Sequence, residues 1–319
     1  MRKADSPSHA PTQPGSSPLF RAFRILGDGW TFFILREAFF GVRRFEDFLQ
    51  ALAIPRARLT ERLSWLVEEG VLRKRPYSDR PVRFEYLLSE RGHDVYSMTL
   101  MMKDWGDRWR RSKPRPSLQL IHRSCGKRLH PKLVCSACAQ PFGLDDLEWR
   151  PLATTAPPPQ FEVRRQLMTS AFERDTRNDS VARTLAVIGD QWTMMILKEA
   201  FQGAEHFETW QSRLAIARST LSSRLKHLTD EAVFEKVLYQ THPPRYAYRL
   251  TAAGKDLFRV GILMLSWGER WLNAAGTPPS CLHKQCGKPL IPMVICACCE
   301  AQVFSHDVTF SHKAGRGAK

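Results

Sequence analysis

Eight residues at metal-ligand spacing are the part of this chain best equipped for chemistry. They form two runs, His122-x2-Cys125-Gly126-Lys127-x7-Cys135-x2-Cys138 and His283-x2-Cys286-Gly287-Lys288-x7-Cys296-x2-Cys299. Zinc in a closed structural site takes four tetrahedral nitrogen and sulfur ligands, commonly as two pairs with two-residue spacers. Each run supplies one His and three Cys, so the spacing predicts two Cys3His zinc sites, one per run. Glycine directly after Cys125 and Cys286 suits a tight knuckle whose backbone N–H groups approach the sulfur. A segment this short has little core, so bound zinc would supply much of its folding energy. Reactive thiols or a pair of disulfides are the competing readings of the same cysteines. Cys281 and Cys298 have no counterparts in the first run and read as small residues or a local redox pair. His130 stands opposite Ile291 and is left out of the ligand set.

The metal runs are the ends of a longer repeat. Residues 27–45, GDGWTFFILREAFFGVRRF, return as GDQWTMMILKEAFQGAEHF at 189–207, and Trp105 and Trp109 return as Trp267 and Trp271. One unit has been duplicated and fused. The expected organisation is a disordered tail over 1–17, a first module over 18–113 and its Cys/His tail over 118–150. A linker over 151–178, with prolines at 157–159, leads to the second module (179–275) and second tail (280–310), and 311–319 is again disordered.

Within the first module, apolar residues at helical spacing run from Trp30 to Phe40 and stop at Gly41. Phe45, Phe48, Leu49 and Leu52 predict a second helix. Leu59, Leu63, Leu66 and Val67 give the buried face of a third, which Gly70 ends. VLRKRPYS and RFEYLLS are short β-type runs across a tight turn, and Ser89 is the expected N-cap of a long last helix. The second module repeats the order, with a last helix expected over Thr251–Trp271. The expected fold class is mainly α with small β-hairpins (α+β), arranged as tandem winged helix-turn-helix domains, each followed by a short zinc-knuckle tail.

In a helix-turn-helix the N-terminal half of the last helix of the motif meets base edges in the major groove. Those positions are Arg56, Ala57, Arg58, Thr60 and Glu61, and in the second module Arg218, Ser219, Thr220, Ser222 and Ser223. Arginine pairs bidentately with guanine, and glutamate accepts from cytosine. Arg62 and Arg224, one turn on, are assigned to phosphate. Arg80 and Arg83 at one hairpin tip, and His242 and Arg245 at the other, are assigned to the minor groove or phosphates. A solvated, charged helix face or turn accounts for the same residues without DNA; their place in a twice-repeated pattern favours contact.

GDGWTFFILREAFFGVRRFEDFLQAL, with PRARLTERLSWLVEEGVLRKR, the PVRFEYLLSERG hairpin and the closing WGDRW, resembles the HxlR family of bacterial transcription regulators, a branch of the MarR-like winged helices. The second copy, GDQWTMMILKEAFQG to PPRYAYRLTAAG and WGERW, resembles it equally. The resemblance implies DNA binding through the third helix and wing, and a dimer interface built by the first and last helices. Many members sense oxidants through a cysteine just before the first helix. Here that position holds Ser17 and Asp179, neither of which forms a thiolate.

Composition agrees with a polyanion partner. The chain has 319 residues, 43% of them hydrophobic, and a net charge of +16 from 48 basic and 32 acidic residues. No apolar run reaches the roughly 18 residues of a membrane span, and no export signal precedes the first module, so a cytoplasmic, nucleoid-associated protein is expected. No catalytic triad, phosphate loop or carboxylate pair stands out, which excludes a positive enzyme reading. Met98, Met101, Met102, Trp105 and Trp109, with Phe258, Ile262, Leu265, Trp267 and Trp271, form apolar stripes that suit core or dimer packing, or a hydrophobic effector pocket. The function expected is a DNA-binding regulator acting as a fused pseudo-dimer on two unequal half-sites, with zinc in structural sites. A metal- or thiol-responsive sensor, and a protein-interaction scaffold, are the alternatives.

Overall fold

The structure is a computed structural model that describes residues 17–110, 118–150, 179–274 and 276–311. The expected tail over 1–17 (save Ser17), the linker over 151–178 and the end over 311–319 (save Ser311) lie outside the described residues.

In the first module α1 (Pro18–Leu26), α2 (Gly29–Phe39), α3 (Phe45–Leu52) and α4 (Arg56–Glu68) precede a hairpin of β1 (Leu72–Asp79) and β2 (Val82–Leu88), closed by the long α5 (Glu90–Trp109). The hairpin is antiparallel, from Leu72 opposite Leu88 to Asp79 opposite Val82. The second module repeats this as α6 (Ser180–Ile188), α7 (Gln191–Phe201), α8 (Phe207–Leu214), α9 (Arg218–Asp230), β6 (Phe234–Thr241) and β7 (Pro244–Leu250). Its last helix is divided at Leu257 into α10 (Ala252–Asp256) and α11 (Phe258–Leu272), where a single helix was expected. Ser89 caps α5 as expected, accepting from the Gly92 N–H at 3.2 Å. The periodicity reading began at Trp30 and passed over the short α1, which Ser17 caps with Pro18 at its first turn.

The modules are locked together by exchanged helices. α1 lies on α11 of the other module, α6 lies on α5, and α5 and α11 pack on each other. The side chains between them belong to one continuous core. Four tryptophans bridge the modules with their indole N–H groups. Trp105 donates to the Ala253 carbonyl at 2.9 Å and Trp109 to Asp256 at 2.8 Å, while Trp267 donates to the Arg91 carbonyl at 2.9 Å and Trp271 to Asp94 at 2.8 Å.

The glycine inside each WG-x-RW motif has a steric reason. A Cβ on Gly106 would sit 2.0 Å from the Ser180 carbonyl oxygen, and one on Gly268 2.2 Å from that of Pro18. Each long helix therefore admits the start of the other module's first helix only because no side chain is there.

The tails are intertwined as well. In the first, β3 (Gln119–His122), β4 (Pro131–Cys135) and β5 (Leu147–Trp149) follow one another; in the second, β8 (Cys281–His283), β9 (Pro292–Cys296) and β10 (Val308–Ser311). Every strand pair is antiparallel and crosses between tails, β3 with β10, β4 with β9 and β5 with β8. The two tails make one body, which lies against α5 and α11.

Candidate nucleic-acid interface and metal clusters

The candidate reader helices α4 and α9 bury Leu59, Leu63 and Leu66, and Leu221, Leu225 and Leu228, against their modules. That leaves Arg56, Ala57, Thr60 and Glu61 exposed on α4 and Arg58 half-buried; on α9, Arg218, Ser219, Ser222 and Ser223 are exposed and Thr220 and Arg224 half-buried. Ahead of each helix stands an alanine in left-handed conformation, Ala53 at φ 47° and Ala215 at φ 48°. A left-handed alanine costs about 1 kcal/mol, which the tight turn between the two helices has to outweigh.

The two reading faces differ in chemistry. Arg56 forms a bidentate pair with Glu46 of α3, both contacts at 2.9 Å. The hydrogen bond from Arg56 holds the Glu46 carboxyl below the usual carboxylate range. Arg58 donates to Glu61 at 2.8 Å and to Asp28 at 2.7 Å. Partial desolvation works to raise the Glu61 carboxyl, but hydrogen bonds from Arg62 and Arg58 outweigh it and lower it. In the second module Arg218 donates to the amide oxygen of Gln211 at 3.1 Å and lies 5.1 Å from the Phe207 ring, and its neighbours are hydroxyl side chains. The first surface thus carries charges held in ion pairs, and the second an arginine without a carboxylate partner in these contacts, beside hydroxyl side chains.

Arg62 lies deeper than its assignment to phosphate leads one to expect. Its residue is 7% exposed, and its guanidinium lies 2.5 Å from Glu61 and 3.4 Å from Asp28. It turns inward and ties the reader to Asp28, the N-cap that accepts from the Trp30 N–H at the start of α2. That burial and pairing leave its guanidinium little free surface to offer a phosphate. Its counterpart Arg224 is half-buried and pairs with Asp190, the N-cap of α7, at 3.0 Å. Asp28 and Asp190 were not singled out from the sequence, where GDGW and GDQW were the signal.

Arg80, Arg83, His242 and Arg245 are exposed at the hairpin tips. Arg83 stands opposite Ser78, and Arg245 opposite Gln240. Behind the tips each wing carries exposed aromatic rings that sequence reasoning missed, packed against basic side chains. Arg44 lies 4.6 Å from the Tyr77 ring, Lys74 4.0 Å from Phe84 and Lys236 3.8 Å from Tyr246, and the His206 and Tyr239 rings are 4.8 Å apart.

All eight predicted ligands gather into two clusters, but the partition differs from the expected one. One cluster is His122, Cys125, Cys296 and Cys299; the other is Cys135, Cys138, His283 and Cys286, and within each the donor atoms lie within 4.8 Å of one another. Each cluster takes a His-x2-Cys pair from one tail and a Cys-x2-Cys pair from the other. The cause is the sheet. Leu129 hydrogen-bonds back to Leu120 beside the first knuckle, and the six residues on to Cys135 span roughly 20 Å of extended chain. In the β4–β9 pair Cys135 stands opposite Pro292 and Cys296 opposite Pro131, so each strand delivers its cysteines to the other tail.

The geometry fits a tetrahedral ion. Zinc–sulfur and zinc–nitrogen bonds of about 2.3 and 2.0–2.1 Å set tetrahedral edges of about 3.5 Å for S–N and 3.8 Å for S–S. His122 Nδ1 lies 3.6 Å from Cys125 Sγ and 3.3 Å from Cys299 Sγ; His283 Nδ1 lies 3.3 Å from Cys138 Sγ and 3.4 Å from Cys286 Sγ. Cys125 and Cys296 sulfurs are 4.0 Å apart, and all eight cysteines are free of disulfides. Both histidines are buried, 0% and 1% exposed, with their Nε2 atoms lacking hydrogen-bond partners. Gly126 and Gly287 both adopt φ 66°, the left-handed turn that the knuckle needs. The Lys288 N–H is the leading cause that lowers the Cys286 thiol to about 7.

Cys281 and Cys298 stay outside both clusters. Cys281 is buried in β8, and burial pushes its thiol up to about 12; Cys298 is exposed. Ser17 and Asp179 cap α1 and α6, and Asp179 also pairs with Arg36 of the other module. The apolar stripes of the last helices are inter-module core. The cavity beside Phe258, Ile262 and Leu265 is about 30 Å³, on the scale of one or two waters.

Two winged helix-turn-helix modules, joined through their first and last helices and each presenting its candidate reader helix outward, define a DNA-binding regulator of the winged-helix class. The HxlR-like helix-turn-helix family matches residues 25–114 and 187–275, and the chain belongs to that family. An uncharacterized HTH-type transcriptional regulator of Mycobacterium tuberculosis is 39% identical over 142 residues, 44% of this chain and 90% of the relative. The uncharacterized HTH-type transcriptional regulator YtcD of Bacillus subtilis is 28% identical over 103 residues, 32% of this chain and 82% of its own. A putative transcription factor from Pseudomonas aeruginosa is 33% identical, with TM-score 0.31, over 47% of this chain and 98% of that one. The redox regulator HypR in its oxidized form is 26% identical, with TM-score 0.28, over 30% of this chain and 98% of that one. The family and the relatives are transcription regulators rather than enzymes, and a helix-turn-helix family implies DNA as partner. The two Cys/His groups are compatible with metal binding. Among the described residues no helix is long and apolar enough to cross a membrane.

Proposed function

We propose that the chain is a cytoplasmic, sequence-specific transcription regulator that binds duplex DNA as an intramolecular pseudo-dimer, reading two unequal half-sites. The observation that supports this most is the exchanged interface between α1 and α11 and between α5 and α6, which gives one chain both readers. Contacts to bases come from Arg56, Arg58, Thr60 and Glu61 on one side, and from Arg218, Thr220, Ser222 and Ser223 on the other. Ala57 and Ser219 lie in the same exposed turns, and the tip residues Arg80, Arg83, His242 and Arg245 add phosphate or minor-groove contacts. The Cys3His clusters hold zinc, because their donor set and edge lengths match its preference for four tetrahedral nitrogen and sulfur ligands. Selection of bound sequences from random duplex with the full chain tests the reading. The expected motif has two different halves, bound with a strong inverse dependence on salt. A perfect palindrome would show two whole chains each using one module, and salt-independent or absent binding would sink DNA recognition altogether.

A second reading has a specific observation in its favour. Cys299, a cluster member, is exposed beside the exposed Cys298. Oxidation there would release metal and alter DNA affinity. Peroxide that ejects zinc and weakens binding, both reversed by dithiothreitol, is the result this sensor reading requires; zinc retention under peroxide removes it.

A further inference from the structure

We infer that the two Cys3His clusters form a two-ion clasp in which each ion joins the two repeats, and that the occupied clasp fixes how the two reader helices are held. Only the last step rests on the DNA-binding reading. A tail alone offers one His-x2-Cys pair and one Cys-x2-Cys pair, but β4 and β9 carry the cysteine pairs into opposite clusters. Each ion is therefore coordinated equally by residues far apart in the chain, Cys138 and His283 being 145 positions apart in one cluster and Cys125 and Cys296 171 apart in the other. Coordination stitches the tails where exchanged helices already join the modules.

A clasp of this kind reaches the readers because the tail body is seated on the inter-module helices. β4 lies on α5 and β9 on α11. From the second cluster a run of ring contacts leads inward. The His283 ring lies 5.9 Å from Phe142, Phe142 lies 6.3 Å from Phe258 at the start of α11, and Phe258 lies 5.7 Å from Phe201. Phe201 ends α7, the helix that packs on the reader α9. At the other cluster, His93 of α5 hydrogen-bonds Ser305 of the second tail at 3.0 Å, and Phe40 at the end of α2 meets Phe310 at 4.8 Å. Without ions, the buried histidines and six sulfurs lose their common partner. The tails then loosen, and the four-helix interface keeps only its own contacts.

Counting ions separates this arrangement from one knuckle per tail. The full chain, equilibrated with zinc against a competing chelator that strips three-ligand sites, should hold two ions by native mass spectrometry. The triple variant C135S/C138S/C286S removes only one observed cluster and should keep one ion. The triple variant C125S/C135S/C138S removes every cysteine ligand of the first tail and should keep none, since the other cluster is left with three ligands. The reverse pattern would mean that each tail holds its own ion and would overturn the clasp, as would a wild-type chain holding no ion. Should either variant fail to fold, cadmium-113 NMR of the loaded wild-type chain decides. Couplings from each cadmium to cysteines of both tails support the clasp, and couplings confined to one tail refute it. Stripping metal from the wild-type chain should weaken binding to a duplex carrying both half-sites about tenfold or more, with zinc restoring it. Unchanged affinity would refute the link to the readers. A chain that bound no duplex in either state would refute the DNA reading and leave the ion counts standing.

Discussion

Asp28 holds the first candidate reading surface from behind it. One of its oxygens caps α2, and the other meets Arg58 and Arg62, so a single carboxylate sets the start of one helix and the rotation of another. Removing one partner of a buried, hydrogen-bonded pair strands the other charge and costs about 3–5 kcal/mol, less here because Arg62 keeps Glu61. Asp28→Ala should therefore lower stability by about 2–4 kcal/mol, read as a shift in the urea midpoint at unchanged slope. It should also weaken DNA binding although no base touches it. Arg58→Ala should behave differently. Specific affinity should fall by about 1–3 kcal/mol while nonspecific affinity falls much less; equal losses on both would make Arg58 a phosphate contact. The sequence shows the residue types here but not their pairing. Arg56, Arg58 and Arg62 look alike along the helix, and what turns Arg62 inward is an aspartate 34 residues earlier in the chain.

At the scale of elements, the interface depends on two missing side chains. Gly106 and Gly268 meet backbone carbonyls at distances that no side-chain rotation relieves. Gly106→Ala or Gly268→Ala should push the first helix of the other module off the bundle, at a cost of at least the 1–3 kcal/mol usual for overpacking. Thermal unfolding and limited proteolysis of α1 or α6 would show it. Gly143→Ala, whose Cβ would meet only Asp146 at 3.8 Å, is the neutral control, and a wild-type melting profile in both bundle variants would disprove the close-approach argument. Much of this level was legible. Helical periods, the Gly41 and Gly70 stops and the Ser89 cap placed the elements that the structure contains. The family resemblance implies an interface of first and last helices, and the structure has it between the modules; the residue pattern alone does not carry it, because WG-x-RW records that glycine is needed and says nothing of the helix it admits. The metal tails fail in the same way. Two copies with identical spacing satisfy the ligand rules whether the pairs combine within a tail or across tails, and only the strand pairing of β4 with β9 chooses.

The whole molecule joins a shared frame to unlike readers, and fusion is what permits this. Two identical chains must present identical surfaces to a two-fold site, whereas here Arg58 and Glu61 stand where the second module has Thr220 and Ser223. The frame keeps matching parts in both halves: the four tryptophan bridges, the cis-proline wing tips and the paired clusters. Unequal recognition then follows from a few side chains and can be removed by changing them. In a R58T/E61S chain these reading positions match those of the second module, with Arg56 and Arg218 already alike and Ala57 against Ser219, and Thr60 against Ser222, left as small differences. Sequences selected by this variant should move toward a palindrome, with the half-site of the second module now favoured on both sides and that of the first module lost. Each wrong base pair in a half-site typically costs about 1–3 kcal/mol, so the variant should bind a symmetric duplex about tenfold or more better than the wild-type target. Retention of the wild-type motif by the variant would place the asymmetry outside the reader helices, in the wings or in the spacing that the frame imposes.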